Sequence, residues 1–191
     1  MPTDTASALW RRLDTPGHDA AWLERSRDGW LLRGTAVFLH GDAPACLAYE
    51  VDCDPSWVTI RGTVRGRLGD VRVAHEITRN AGGWAVDGEP VAGLGDLVDL
   101  DFGFTPATNL LQLRRVGLAV GEAAEVDVAW FEGESVSKAL VRLPQRYERR
   151  SDETYWYASP TTEYAGILVV GVDGFARRYP GLWEAEPEGE P

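Results

Sequence analysis

"GWLLRGTAVFLHG" (Gly29 to Gly41) and "ACLAYEVDCD" (Ala45 to Asp54) decide the fold class of this chain. The first is bounded by glycines and rich in strand formers. The second sets Leu47, Tyr49, Val51 and Cys53 against more polar positions, then stops at Asp54-Pro55. Alternation with a period of two describes a strand with one covered and one solvated face. The same signal continues downstream in "SWVTIRGTVRG" and "DVRVAHEITRN", with turns at Asn80 to Gly83 and at Asp87-Gly88.

Further on, "EAAEVDVAWFE", "SKALVRLPQRYERR" and "ETYWYAS" each read as one strand. "EYAGILVVGVD" is almost continuously apolar and reads as a central strand covered on both faces. No long segment carries a capped apolar stripe at helical spacing. Short helical turns are expected around Thr105 to Arg114 and within Pro16 to Arg25. The sum, roughly ten strands joined by short turns, predicts a mainly β chain. Its single antiparallel sheet would curl into a barrel, half-barrel or roll, with one or two short helical turns. One domain is expected over residues 1–183, followed by a disordered acidic tail, "EAEPEGEP", at 184–191.

The formal net charge of −11 argues against a nucleic-acid partner and against an anionic membrane surface. No apolar run is long enough to span a bilayer, so no membrane insertion is expected. The N-terminal "MPTDTASALWRRLDTPG" lacks the charged start and apolar stretch of a secretory signal, which makes a cytoplasmic location the expectation. Cys46 and Cys53 sit seven residues apart on one strand-like segment, on opposite faces and too far apart to bridge. His18, His40 and His75 are scattered, and no Cys-x-x-Cys, phosphate loop or dinucleotide fingerprint occurs. No metal or other cofactor is expected.

What remains is acids, arginines and aromatics, and they gather around "DLDFGFTPATN" (Asp99 to Asn109). Asp99 and Asp101 share one face of a short strand and oppose Leu100, Phe102 and Phe104. Two carboxylates so placed can work as acid and base, or can neutralise arginines. Arg114 and Arg115 follow just past the turn, and Arg146, Arg149 and Arg150 lie in "QRYERR". Thr105 and Thr108 can cap the helical turn after Pro106, and Asn109 can donate and accept at once. Eight tryptophans, Trp57 and Trp130 among them, suit either a core or a pocket for an amphipathic ligand.

These motifs also carry a resemblance. "LAYEVDCDPSWVT", "VDLDFGFTPATNLLQLRRVGL", "EVDVAW", "QRYERR" and "GVDGFARRYPGLW" occur in this order and, together, resemble the bacterial family named "Putative glycolipid-binding", formerly a domain of unknown function. The likeness runs from about Gly29 to Trp183. It implies a curled antiparallel sheet similar to lipoprotein carriers, with a glycolipid or other amphipathic small molecule on the concave face. The tail would lie on apolar side chains including Trp57 and Trp130. The head would meet Asp99, Asp101, Asn109, Arg114, Arg115, Arg146 and Tyr147. It implies no established catalytic residue. Two other readings stay open. One is an enzyme, a hydrolase, isomerase or cyclase on a hydrophobic substrate, with Asp99 or Asp101 as acid or base and Tyr147 or Arg146 stabilising charge. The other is an interaction module that forms a homodimer through exposed sheet edges.

Overall fold

The computed structural model describes residues 5–133 and 139–187. Eight strands open the chain as an antiparallel meander: β1 (Thr5–Arg12), β2 (Gly17–Ser26), β3 (Gly29–His40), β4 (Ala43–Cys53), β5 (Thr59–Leu68), β6 (Val71–Asn80), β7 (Gly83–Val86) and β8 (Glu89–Val91). Then come β9 (Leu100–Phe102), helix α1 (Asn109–Val116), β10 (Ala123–Glu125), β11 (Val128–Phe131) and β12 (Leu140–Leu143). A second antiparallel run closes the chain: β13 (Arg146–Arg149), β14 (Thr154–Ser159), β15 (Tyr164–Val170), β16 (Ala176–Tyr179) and β17 (Trp183–Ala185).

The two runs join where the first strand meets the last. Trp10, Arg11 and Arg12 of β1 pair with Ala185, Glu184 and Trp183 of β17. The Trp10 indole also donates to the Ala176 carbonyl at 2.6 Å, one strand further on. The result is a 14-stranded sheet with β10 at one edge and β8 at the other. It curls but does not close, so of the expected shapes the barrel gives way to the half-open roll. Its inner face follows the alternation read from sequence. On β4, Ala45, Leu47, Tyr49, Val51 and Cys53 are buried while Cys46, Ala48 and Glu50 face out. The two cysteines are free thiols on opposite faces.

A second, three-stranded sheet in the order β12-β11-β9 packs with α1 into the concave side. Leu100, Phe102, Phe104 and Phe131 are buried there. Phe102 and Phe104 stand edge-on to Tyr49 at 6.0 and 5.7 Å, and Phe131 lies 5.5 Å from His75. Gly62 makes this seating possible, because a Cβ there would come within 2.3 Å of Leu100 Cδ2. The centre of the concave face is therefore filled by the chain itself, as closed or curled antiparallel sheets require.

Four expectations are corrected. Pro16 to Arg25 carries no helical turn, because Asp19, Ala21 and Leu23 turn inward and pair into β2 between β1 and β3. "EAAEVDVAWFE" and "SKALVRLPQRYERR" are each split between the two sheets, the first after Glu125 and the second at Pro144-Gln145; Ser137 and Lys138 lie outside the described residues. β15 is not covered on both faces, since Ile167 is 43% exposed. Glu184 and Ala185 do not belong to a disordered tail but to β17, where they pair with β1; residues 188–191 lie outside the described residues. Among the described residues no helix is long and apolar enough to cross a membrane, and no cluster of metal-ligating side chains occurs.

Candidate functional site

β9 and the residue just before it place Asp99 and Asp101. The strand runs parallel to β11, with Leu100 opposite Ala129, Asp101 opposite Trp130 and Phe102 opposite Phe131. Leu100 and Phe102 point into the large sheet, so Asp101 and Trp130 share the other face as neighbours. Gly103 follows, and its bare backbone lets the Trp130 indole lie against it; a Cβ would stand 2.9 Å from that ring.

Asp99 and Asp101 part company in three dimensions. Asp99 is 0% exposed and bound by Arg115 at both oxygens, Nε to Oδ1 at 2.8 Å and Nη2 to Oδ2 at 2.6 Å. Burial raises its carboxyl above the ordinary range, and Arg115 opposes that rise. Asp101 is buried with neutral partners. It accepts from Thr108 Oγ1 at 2.5 Å and from Gln145 Nε2 at 2.7 Å. Burial is the main cause that raises its pKa, and the charge on Asp99 adds to it.

A polar chain leads to Asp101 from behind. Asn109 Nδ2 donates to the Tyr147 hydroxyl at 2.8 Å, and that hydroxyl donates to Gln145 Oε1 at 3.1 Å. Tyr147 is fully buried, and burial lifts its phenol well above the ordinary tyrosine range. Thr108 stands at the N-terminal cap of α1 but makes no capping bond with its side chain. Its hydroxyl instead accepts from Phe102 N–H at 3.2 Å and donates to Asp101. Thr105 Oγ1 accepts from Ala107 N–H, stiffening the corner after Pro106.

In front of Asp101 a cleft of about 240 Å³ opens between the inner sheet and the second run of strands. Trp130, Tyr157, Tyr164 and Tyr179 form much of its wall, with Leu143 and Leu182 among its apolar lining. Asp101, Thr105 and Asn109 supply polar groups. The three tyrosine rings pack on one another with centroids 5.0 to 5.9 Å apart. Cross-strand register brings them together: Tyr147 faces Tyr157, and Tyr157 faces Gly166, whose missing side chain leaves room for Tyr164.

Of the residues singled out in sequence, Asp101, Asn109 and Trp130 line this cleft, and Tyr147 stands behind it. Asp99 and Arg115 form an ion pair away from its lining. Arg114 lies over Gly174 and donates to the Asp173 carbonyl at 2.6 Å, beside a separate depression. Arg146 pairs with Glu125 on the surface, and Trp57 stacks on Trp30 at 4.3 Å. None of these last three lines the cleft with Asp101.

Two features had no sequence signal. One is the tyrosine wall, which depends on strand register. The other is Asp19 on β2, which is 0% exposed. It accepts from Tyr49 OH at 2.9 Å and from the Thr105 hydroxyl. Burial pushes its carboxyl up to about 6 against the pull of those two donors.

Comparison with solved structures finds a DUF1089 family protein from Pseudomonas aeruginosa. It is 23% identical, covers 96% of this chain and 93% of its own, and superposes with a TM-score of 0.66. At that identity the likeness speaks for the fold. Comparison with curated protein sequences gives no match. The family described as "Putative glycolipid-binding" matches residues 7–185, which hold both runs of strands, the inner sheet and every residue of the cleft, and the chain belongs to that family.

Proposed function

We propose that this protein binds an amphipathic small molecule of glycolipid type and holds its head group in the Asp101 cleft. One observation carries the reading: an aromatic wall of Trp130, Tyr157, Tyr164 and Tyr179 faces Asp101 and Asn109 across about 240 Å³. Mostly apolar clefts with a few converging polar groups are the usual form of ligand sites. The family description points the same way. The volume suits a head group better than a whole lipid, since drug-sized ligands fill roughly 300 Å³ or more. The tail then leaves along Leu143 and Leu182 rather than lying deep in the concave face, which the inner sheet already fills. Asp99, Arg115, Arg114, Arg146 and Trp57 drop out of the binding set in this reading.

The test is direct. Purified protein is incubated with a total lipid extract, repurified and examined by native mass spectrometry. A discrete bound species, lost in Trp130→Ala, is the expected result. Recovery of bare protein, or of the same species on the Trp130→Ala variant, overturns the reading.

A further inference from the structure

The cleft contains an imbalance of charge. Asp99 and Asp101 stand two residues apart and both are buried, yet only Asp99 is given a cation. Among the described residues, no Arg, Lys or His forms an ion pair with Asp101, whose side-chain partners are Thr108 and Gln145. A buried carboxylate without a counter-charge is costly.

The surrounding hydrogen bonds nevertheless run toward an ionised acceptor. Phe102 N–H donates to the Thr108 hydroxyl, which donates to Oδ1 of Asp101. Asn109 donates to Tyr147, Tyr147 to Gln145, and Gln145 to Oδ2 of Asp101. Both strings of donors end on the Asp101 carboxylate, one on each oxygen.

The walls fit the same charge. Trp130 stands beside Asp101 on the neighbouring strand, and Tyr157, Tyr164 and Tyr179 line the same cleft. The Tyr164 hydroxyl is turned away to donate to the Pro180 carbonyl at 2.8 Å. Aromatic faces around a carboxylate form the environment that attracts an organic cation. We infer that the head group held in this cleft carries a protonated amine, which salt-bridges Asp101 inside the cage of Trp130, Tyr157, Tyr164 and Tyr179.

This inference rests on the cleft being the binding site, and the experiment separates the two. Binding is measured by calorimetry at near-neutral pH for three soluble probes: octyl glucoside, octyl 2-amino-2-deoxyglucoside and octylammonium. The amino glucoside is expected to bind about 10-fold more tightly than the glucoside, the order of one charge-assisted contact in an aromatic setting. Asp101→Asn is expected to reduce that preference to about 2-fold or less. Octylammonium binding as tightly as the amino glucoside also supports the inference and makes the source a simple amine; much weaker binding makes it an amino sugar. Equal binding of the two glucosides overturns the amine and leaves the cleft reading standing. Failure of all three to bind overturns both.

Should Asp101→Asn not fold, Tyr164→Leu takes its place at the more open side of the cage. It is expected to weaken the amino glucoside about 3-fold while changing the glucoside less. Equal loss on both probes overturns the inference.

Discussion

Arg115 closes on Asp99 with two nitrogens, at 2.8 and 2.6 Å, from the last turn of α1. The pair ties the helix to the start of β9. It also makes Asp99 a structural group, because its charge is answered by Arg115 and it does not line the cleft.

Removing Arg115 alone strands a buried charge. Arg115→Ala is expected to lower stability by about 3 kcal/mol. Asp99→Asn combined with Arg115→Met is expected to recover much of that loss, since replacing both partners of a buried pair is far milder than breaking it. Urea unfolding of the two single variants and the double variant checks this. Additive losses in the double variant would show that the pair is not coupled.

Asp19 should make the protein less stable as pH rises from about 4 to about 7. Its folded carboxyl is raised to about 6, above the unfolded value, so its contribution is fully present below the unfolded pKa and is lost as pH rises through about 6. A rise of this size corresponds to about 3 kcal/mol. Asp19→Asn cannot ionise. Its stability relative to the native protein should therefore improve by about 2–3 kcal/mol between about pH 4 and pH 8. Denaturant titrations across that range measure it, and a difference that does not change with pH would count against a buried, ionising Asp19.

Gly103→Ala should reshape the cleft without touching its polar groups. The new Cβ would meet the Trp130 indole at 2.9 Å and push it aside. Overpacking of this kind costs about 1–3 kcal/mol. Tryptophan fluorescence and near-ultraviolet circular dichroism should change while the far-ultraviolet spectrum stays the same. An unchanged near-ultraviolet signal would argue that Trp130 does not lie on Gly103.

The two thiols should differ sharply in reactivity. Cys46 is exposed on the outer face of β4, whereas Cys53 is buried and its thiol is pushed up to about 12 by burial. In the native protein a disulfide reagent is expected to titrate one thiol, and two after denaturation. Two fast-reacting thiols in the native state would mean that the end of β4 opens readily.

The parts of the fold that could be read in the sequence are those where each residue answers to its own strand. β3, β4 and β6 alternate over most of their length, because one face is solvated, whereas β5 buries Gly62, Thr63 and Val64 in succession. The misread parts are those where the chain changes partner without changing pattern. At Val126-Asp127 and at Pro144-Gln145 it passes between two sheets, and alternation continues on both sides. The second run gave a different false signal: β15 is apolar on an exposed face, so Ile167 mimicked burial. For the site, Asp101 and Asn109 were legible because they lie in one short stretch of sequence, and Trp130 only as one of eight tryptophans. Asp19 was not, because its partner Thr105 comes 86 residues later. Tyr157, Tyr164 and Tyr179 meet through hairpin register, which composition does not encode.

The joining of β1 to β17 has a kinetic meaning. Within each run, every neighbouring pair of strands is a hairpin and closes a short loop. The junction is different: Trp10 reaches Ala176 across 166 residues of chain, and it holds the two runs together through three paired positions. Closing it costs about 3 kcal/mol more in chain entropy than closing a hairpin of a few residues, so pairing at this seam, rather than within either hairpin array, is expected to be the slow step in assembling the whole sheet.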